Sequence, residues 1–435
     1  MITAGYGVMY AKDVRDAKSN MSDIVFEIGL FLLPFENFFF APSEGWAALS
    51  PILFFLYVFL NFNKVVKKIK ENSLKIGLLV FFGIALTMLA YIIVGIRFSN
   101  FLSTLISIAL GVINLFAFVI YYERHHSLKK IVKIVLIAYS IVIIIGIVEW
   151  VTIKSNIGWL EDLFDRLFKR NYLDNNRVQF FFTEPSFIGM HLYGVLLPLY
   201  LASKEKKVLW LIIIMAGLAI FFASSMRFAI DTAIIGGIFA IAFLVRKRKF
   251  WLAIMSVAVA GGALFVMYST NGRFRMIVDQ GVYADGSYAS RFFRVESSIY
   301  GYMNDIPQTL IGYGMGNSLV PIRAGYIQAR SHYKSKYLRE VYQLADPEYN
   351  DESASYCFFT RVISDFGLIA FILFMWLLIK MTKGSSFEYK WEYLFVILYL
   401  YLQFESYAFY ALWLFITIMY FTKKDYNKKG LVGNS

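Results

Sequence analysis

Apolar windows of roughly twenty residues, the length needed to cross a bilayer, recur along nearly all of this 435-residue chain. They lie near 22–41, 45–62, 75–96, 99–122, 131–153, 186–202, 207–223, 228–245, 250–268, 356–379, 391–406 and 407–422. Lipid offers the backbone no hydrogen-bonding partner, so segments this apolar, and longer than barrel strands, must satisfy their own amides as helices. An all-α polytopic membrane protein with about 12 transmembrane helices follows. Composition agrees: 59% hydrophobic residues, 17% charged residues and a mean hydropathy of +0.58 exclude an ordinary water-soluble domain. The first window follows a polar leader containing Lys12, Arg15 and Lys18, which suits a retained anchor better than a cleaved signal.

A net charge of +13 suggests a nucleic-acid partner until the cations are placed. They cluster between windows: Lys64, Lys67, Lys68, Lys70 and Lys75 after the second, and Arg124, Lys129 and Lys130 after the fourth. Lys204, Lys206 and Lys207 follow the sixth, Arg246, Lys247, Arg248 and Lys249 the eighth, Lys380 and Lys383 the tenth, and Lys423 and Lys424 the last. A basic exit after every second span is a topology signal. It places both termini in the cytoplasm and residues 269–355 outside. That long segment carries nine Lys plus Arg against nine Asp plus Glu, the balance of a translocated region. The chain thus divides into 1–268 with nine spans, an extracytoplasmic loop domain at 269–355 between helices 9 and 10, and 356–435 with three spans and a cytoplasmic tail. Nucleic acid is not an expected partner; membrane lipid is.

Cys357 is the sole cysteine and can form no intramolecular disulfide. Of the four histidines, His125 and His126 fall on a cytoplasmic connection, with His191 and His332 far from them in sequence. That spacing gives no metal site, and no cofactor is expected.

Chemistry is then sought in the outward segments. Residues 159–170 place Trp159, Leu160, Leu163, Phe164, Leu167 and Phe168 at helical spacing opposite charged residues, as in a helix lying on the interface. The run from Arg177 to His191 contains Thr183, Glu184 and Pro185, which suit a helix start, so Arg177 beside it makes a candidate anion site or else snorkels to lipid headgroups. Arg227 stands at the next outward turn with Asp231 four residues on; the carboxylate either pairs with the guanidinium or orients it toward a phosphate. In the long loop, Arg291 and Arg294 precede Gly312-Tyr313-Gly314-Met315-Gly316, whose alternating glycines either bring amides close to a ligand or make a tight turn. Arg323, Arg330, His332, Lys334, Lys336 and Arg339 follow, then the acidic Asp346, Glu348, Asp351 and Glu352.

The Arg177–Gly189 run, Ser224-Ser225-Met226-Arg227, the Gly312–Gly316 segment and Ser364-Asp365-Phe366-Gly367 occur in the order found in one group. The chain resembles bacterial O-antigen polymerases of the Wzy type, within the superfamily of O-antigen ligases and related polysaccharide polymerases. The resemblance spans nearly the whole length. It implies a GT-C-like glycosyltransferase of the bacterial inner membrane, joining undecaprenyl-diphosphate-linked oligosaccharide units without a metal or nucleotide sugar. One such lipid is donor and another acceptor, with a chain-length regulator protein as an implied partner. The ligases of that superfamily carry a functional histidine near the start of the span after the loop. Here Ser355, Tyr356 and Cys357 stand there, which favours polymerase over ligase.

A leaving diphosphate requires preorganised positive charge, for which Arg177, Arg227 and Arg291 are the candidates. Asp231, Arg294, Gly314 and Gly316 are expected to support them. The attacking hydroxyl requires a base, Glu184 or His332. A lipid-linked oligosaccharide flippase or other secondary transporter is the rival from another class, but such proteins more often show inverted repeats and charged mid-membrane pathways.

Overall fold

Each of the twelve apolar windows contains a helix, as the absence of hydrogen-bonding partners in lipid requires. The computed structural model describes residues 21–36, 49–71, 73–167, 178–182, 187–223, 226–245, 250–281, 285–333, 355 and 357–423. Among these residues no strand forms, and the one extended pairing is an isolated bridge between Ser385 and Lys423. In chain order the first helices are α1 (Met21–Phe31), α2 (Ser50–Leu60), α3 (Phe62–Glu71), α4 (Ser73–Val94), α5 (Phe98–His125), α6 (Lys129–Ser155) and α7 (Gly158–Leu167). Then come α8 (Phe187–His191), a π-helical turn (Leu192–Leu196), α9 (Leu197–Ser203), α10 (Lys206–Phe221), α11 (Met226–Val245) and α12 (Phe250–Thr270). The segment expected outside holds α13 (Gly272–Gln280), α14 (Gly286–Asn304), α15 (Ile306–Ile311), α16 (Leu319–Ala324) and α17 (Tyr326–Arg330), and the chain ends with α18 (Phe358–Gly384), α19 (Lys390–Leu402) and α20 (Tyr410–Phe421).

Among the described residues, α5, α6 and α18 are long and apolar enough to cross a membrane. Shorter apolar helices occupy Ser50–Leu60, Phe81–Val94, Phe187–Ser203, Val257–Thr270 and Tyr410–Phe421. Two expectations change. The basic stretch after the second window is not a simple loop, because Lys64, Lys67, Lys68 and Lys70 lie on α3, where Lys68 pairs with Glu71 at 3.6 Å and Glu123 at 2.7 Å. Arg124, read as a topology charge, lies in the last turn of α5, where its guanidinium meets the buried Asp23 carboxylate and donates to Asn61 Oδ1 at 2.7 Å. A buried carboxylate requires such a partner, and this one ties α1, α2 and α5 together. The helix expected near 159–170 is present as α7, with Trp159 exposed and Phe164 packed into the main core.

Helix α18 is broken at Gly367, whose φ of +86° and ψ of 165° interrupt the ladder. A Cβ there would lie 2.3 Å from Leu310 O and 2.7 Å from Gly312 N. The break is thus where the chain after α15 crosses α18 backbone to backbone, a left-handed crossing suited to glycine. At the same junction, Tyr313 N donates to Ser364 O at 2.6 Å and Gly316 N to Asp365 Oδ1 at 3.0 Å.

The non-helical link from Gln403 to Phe409 joins α19 to α20 and would leave its carbonyls unpaired in an apolar bundle. Four other elements use them. Phe404 O accepts from Phe358 N at 3.1 Å, Tyr407 O from Trp413 Nε1 at 2.7 Å, Ala408 O from Asn114 Nδ2 at 2.9 Å, and Phe409 O from Tyr401 hydroxyl at 2.8 Å. Its side chains do the converse: Tyr407 hydroxyl donates to Asp365 Oδ2 at 2.8 Å, and Glu405 accepts from Ser355 N at 3.1 Å.

Apart from this main bundle, α14, α16 and α17 enclose a small core of Ala289, Phe293, Leu319, Ile322, Tyr326, Ala329 and Tyr333. Glycines permit the close packing: a Cβ on Gly301 would lie 1.9 Å from Pro321 O, and one on Gly325 2.0 Å from Ser297 O.

The α15–α18 crossing yields a stability prediction. Gly367→Ala combines a left-handed φ with backbone overlap and should cost about 1–3 kcal/mol or more, lowering the thermal unfolding midpoint in detergent. Gly217→Ala, whose Cβ would meet nothing within 4 Å in α10, should leave the midpoint unchanged or raised.

Candidate anion-binding site

Four elements each present two neighbouring residues to one point at the N-terminal end of α11. Arg227 and Asp231 are four apart on α11, Tyr288 and Arg291 three apart on α14, and Tyr399 and Gln403 four apart at the end of α19. These spacings put both members of each pair on one helix face. Gly189 and Met190 contribute from α8.

Gln403 joins the cation to the anion. Its side-chain carbonyl accepts from Arg227 Nε at 3.0 Å, while its amide nitrogen donates to Asp231 Oδ1 at 3.0 Å. Arg227 Nη2 also donates to the Gln403 main-chain carbonyl at 3.2 Å and lies 3.8 Å from Met190 Sδ. Tyr399 hydroxyl donates to the same Asp231 oxygen at 2.6 Å. The expected choice between a pair and an orienting carboxylate therefore resolves through a third residue: Asp231 acts on Arg227 by way of the Gln403 amide. The other carboxylate oxygen, Asp231 Oδ2, is buried without a hydrogen-bond partner among the described residues. It lies against Gly189, where a Cβ would be 2.6 Å away.

Arg227 is 7% exposed and Asp231 0%, so both ionisable groups have left water. Arg291 is half-buried and close enough for its charge to couple with both. Among the described residues it makes no hydrogen bond. The Arg227 and Arg291 charges thus both act on the Asp231 carboxylate, and Arg227 stands in the first turn of a 20-residue helix, at its positive end. Like charges held near each other with one of them out of water are costly, and a bound anion would relieve that cost. Burial first, with the Asp231 carboxylate second, pushes the Tyr288 hydroxyl above its ordinary range against the pull of Arg291 and Arg227. It stays protonated at neutral pH and can donate to such an anion.

The other sequence candidates lie elsewhere. Arg177 and Glu184 fall outside the described residues, as do Thr183 and Pro185. The turn at 178–182 that follows Arg177 is held by Glu149, which accepts from Gln179 N at 3.1 Å and Phe180 N at 2.9 Å. His332 is exposed and its Nδ1 contacts the Glu296 carboxylate. Glu296 is five residues from Arg291, about 140° round α14, so His332 is not gathered with the arginines. Arg294, 1% exposed, is buried on α14. Gly314 and Gly316 have φ of +90° and +81°, with Gly314 against Tyr91 and Gly316 against the Asn100–Phe101 backbone. The Gly316 amide serves Asp365, and Tyr91 hydroxyl donates to Met315 O at 2.8 Å, so this segment is a docking turn. The sequence reading missed Tyr288, Tyr399 and Gln403. The last two lie over 160 residues beyond Asp231 and carry no motif; only their helical spacing hinted at a shared face.

Comparison with protein-family models, with curated proteins and with solved structures found no match to this chain.

If Gln403 is the bridge, Gln403→Leu strips Asp231 of one donor and Arg227 of one acceptor at nearly constant volume. It should destabilise the protein by about 1–3 kcal/mol, read as a lower unfolding midpoint in detergent. Tyr399→Phe, removing one of two donors to the same oxygen, should cost less.

Proposed function

We propose that this chain is a polysaccharide polymerase of the Wzy type: a GT-C-like glycosyltransferase of about 12 spans in the bacterial inner membrane, with both termini cytoplasmic. It joins undecaprenyl-diphosphate-linked oligosaccharides, one as donor and one as acceptor, into O-antigen or a related surface polysaccharide. The observation that carries this is the coupling of the Arg227 and Arg291 charges to the one carboxylate of Asp231, between the N-terminal end of α11 and helix α14. A lipid-linked diphosphate has its anionic group where a bundle and an interfacial segment would meet. Its departure as a leaving group is favoured by positive charge that is already oriented.

In this mechanism, Arg227, Arg291 and Arg177 hold the donor diphosphate. Asp231 and Gln403 fix the Arg227 guanidinium before the substrate arrives, so less reorganisation is needed as charge develops. The bond from the donor sugar's anomeric carbon to the diphosphate oxygen breaks as the acceptor hydroxyl attacks. Of the two candidate bases, Glu184 takes the hydroxyl proton, since His332 is turned toward Glu296 away from the arginines. The arginines supply the charge that a metal would otherwise provide, and the lipid diphosphate is itself the activated donor, so in this reading neither a metal nor a nucleotide sugar is needed.

Purified protein incubated with a lipid-linked repeat unit should give a ladder of polymers. Arg227→Ala and Arg291→Ala should each lower the rate by roughly 100-fold, and the Lys variants should also fall sharply, because ammonium lacks the planar fork. Full polymerisation by the Ala variants would remove the site. Unchanged substrate with wild-type protein would favour transport, and transfer to a lipid A core without a ladder would favour a ligase. Activity should survive EDTA.

The topology is tested by impermeant thiol labelling of intact cells in a Cys357→Ser background. A cysteine at Gly286 should be labelled and one at Ser127 protected; the reverse would overturn the proposed orientation.

A further inference from the structure

A second buried polar cluster lies immediately beside the arginine site, on the far side of α8. His191, 0% exposed, has Nε2 2.8 Å from Glu36 Oε1 and Nδ1 2.7 Å from the Tyr139 hydroxyl. The Tyr410 hydroxyl lies 2.7 Å and 2.9 Å from the two ring nitrogens, and the Phe182 ring packs at 4.6 Å between centroids. The imidazole is thus gripped from four directions: the chain after α1, α6, the start of α20 and the turn before α8. A proton on Nε2 serves Glu36 and leaves Nδ1 to accept from a tyrosine. Glu36 is 6% exposed, and its second oxygen is buried with no partner among the described residues.

Replacing such a cluster by apolar side chains of similar volume would be neutral or stabilising in many proteins, so stability is a weak reason for it. Buried polar groups are better attested as setting register. Register matters here because of what adjoins His191. Gly189, two residues earlier and about 200° round the helix, faces Asp231 Oδ2, while Met190 Sδ touches Arg227. The π-helical turn Leu192–Leu196 begins directly after His191. Such turns interrupt the ordinary helical phase and occur often at functional sites. The phase on one side of the interruption then needs its own anchor. If α8 rotated by one residue, a side chain would enter the space that Gly189 leaves for Asp231.

We infer that His191 is a positioning residue: clamped by Glu36, Tyr139 and Tyr410, it sets the rotation of α8 and thereby seats Gly189 and Met190 against Asp231 and Arg227. This rests on the assignment of Arg227 and Arg291 to a diphosphate. The test is titration of purified full-length protein in detergent with farnesyl diphosphate, with thermal unfolding recorded for each variant. His191→Ala should weaken binding about tenfold. His191→Gln, whose amide can still donate toward Glu36, should stay within about threefold of wild type. Because the effect runs through Arg227, His191→Ala should add little to the loss caused by Arg227→Ala. Glu36→Leu carries the same expectations as His191→Ala and decides the matter should that variant fail to fold. Unchanged binding by Arg227→Ala would remove the diphosphate site and this inference together. A loss with Arg227→Ala but none with His191→Ala or Glu36→Leu, a fully multiplicative double variant, or no rescue by His191→Gln would overturn the positioning role alone.

Discussion

Satisfying buried polar groups where there is little water is the constraint on which the rest of this structure depends, and the link between α19 and α20 is where most of it is met. Seven residues that leave the helical ladder expose carbonyls in an apolar bundle, and α5, α18, α19 and α20 each supply a donor to one of them. The same link sends Gln403 to Arg227 and Asp231, Glu405 to Ser355, and Tyr407 to Asp365. Fold and candidate site are therefore built from one set of hydrogen bonds. The segment that closes the bundle also orients the arginine.

Backbone approach is the second organising element. Gly312 and Gly367 cross with their main chains in contact, Gly301 and Gly325 let α16 and α17 close on α14, and Gly189 leaves room for the Asp231 carboxylate. At Gly301, Gly312, Gly325 and Gly367 a methyl group would overlap backbone, and at Gly189 it would overlap the Asp231 carboxylate. The helical segment 285–333 is thus fixed both within itself and against the bundle, which holds Arg291 near Arg227. A charge pair separated by more than 60 residues requires such a rigid frame, because two like charges would otherwise move apart.

Electrostatics then separates the clusters balanced within the protein from the one at Arg227. Asp23 with Arg124, and Asp365 with Tyr407 and the Gly316 amide, are balanced within the protein. At Arg227 the balance is incomplete: two guanidiniums and a helix N-terminus face one carboxylate. Of the two, Arg227 is held in place by Gln403.

The sequence by itself determined the helices. Windows of spanning length, unable to bond with lipid, had to form helices, and each of the twelve contains one. It also marked Arg227, Asp231 and Arg291 as chemically notable, since charge is costly in such surroundings. Periodicity carried no information on where a helix breaks against another chain segment, as at Gly367, whereas Phe62, Val65, Val66 and Ile69 at helical spacing did mark the basic stretch α3 as amphipathic. Only the tertiary structure decided which residues meet. Gln403 and Tyr399 at Asp231, and Glu36, Tyr139 and Tyr410 around His191, come from segments tens to hundreds of residues apart. Each is unremarkable in its own helix, and its role arises from the desolvation shared with the others once the bundle closes.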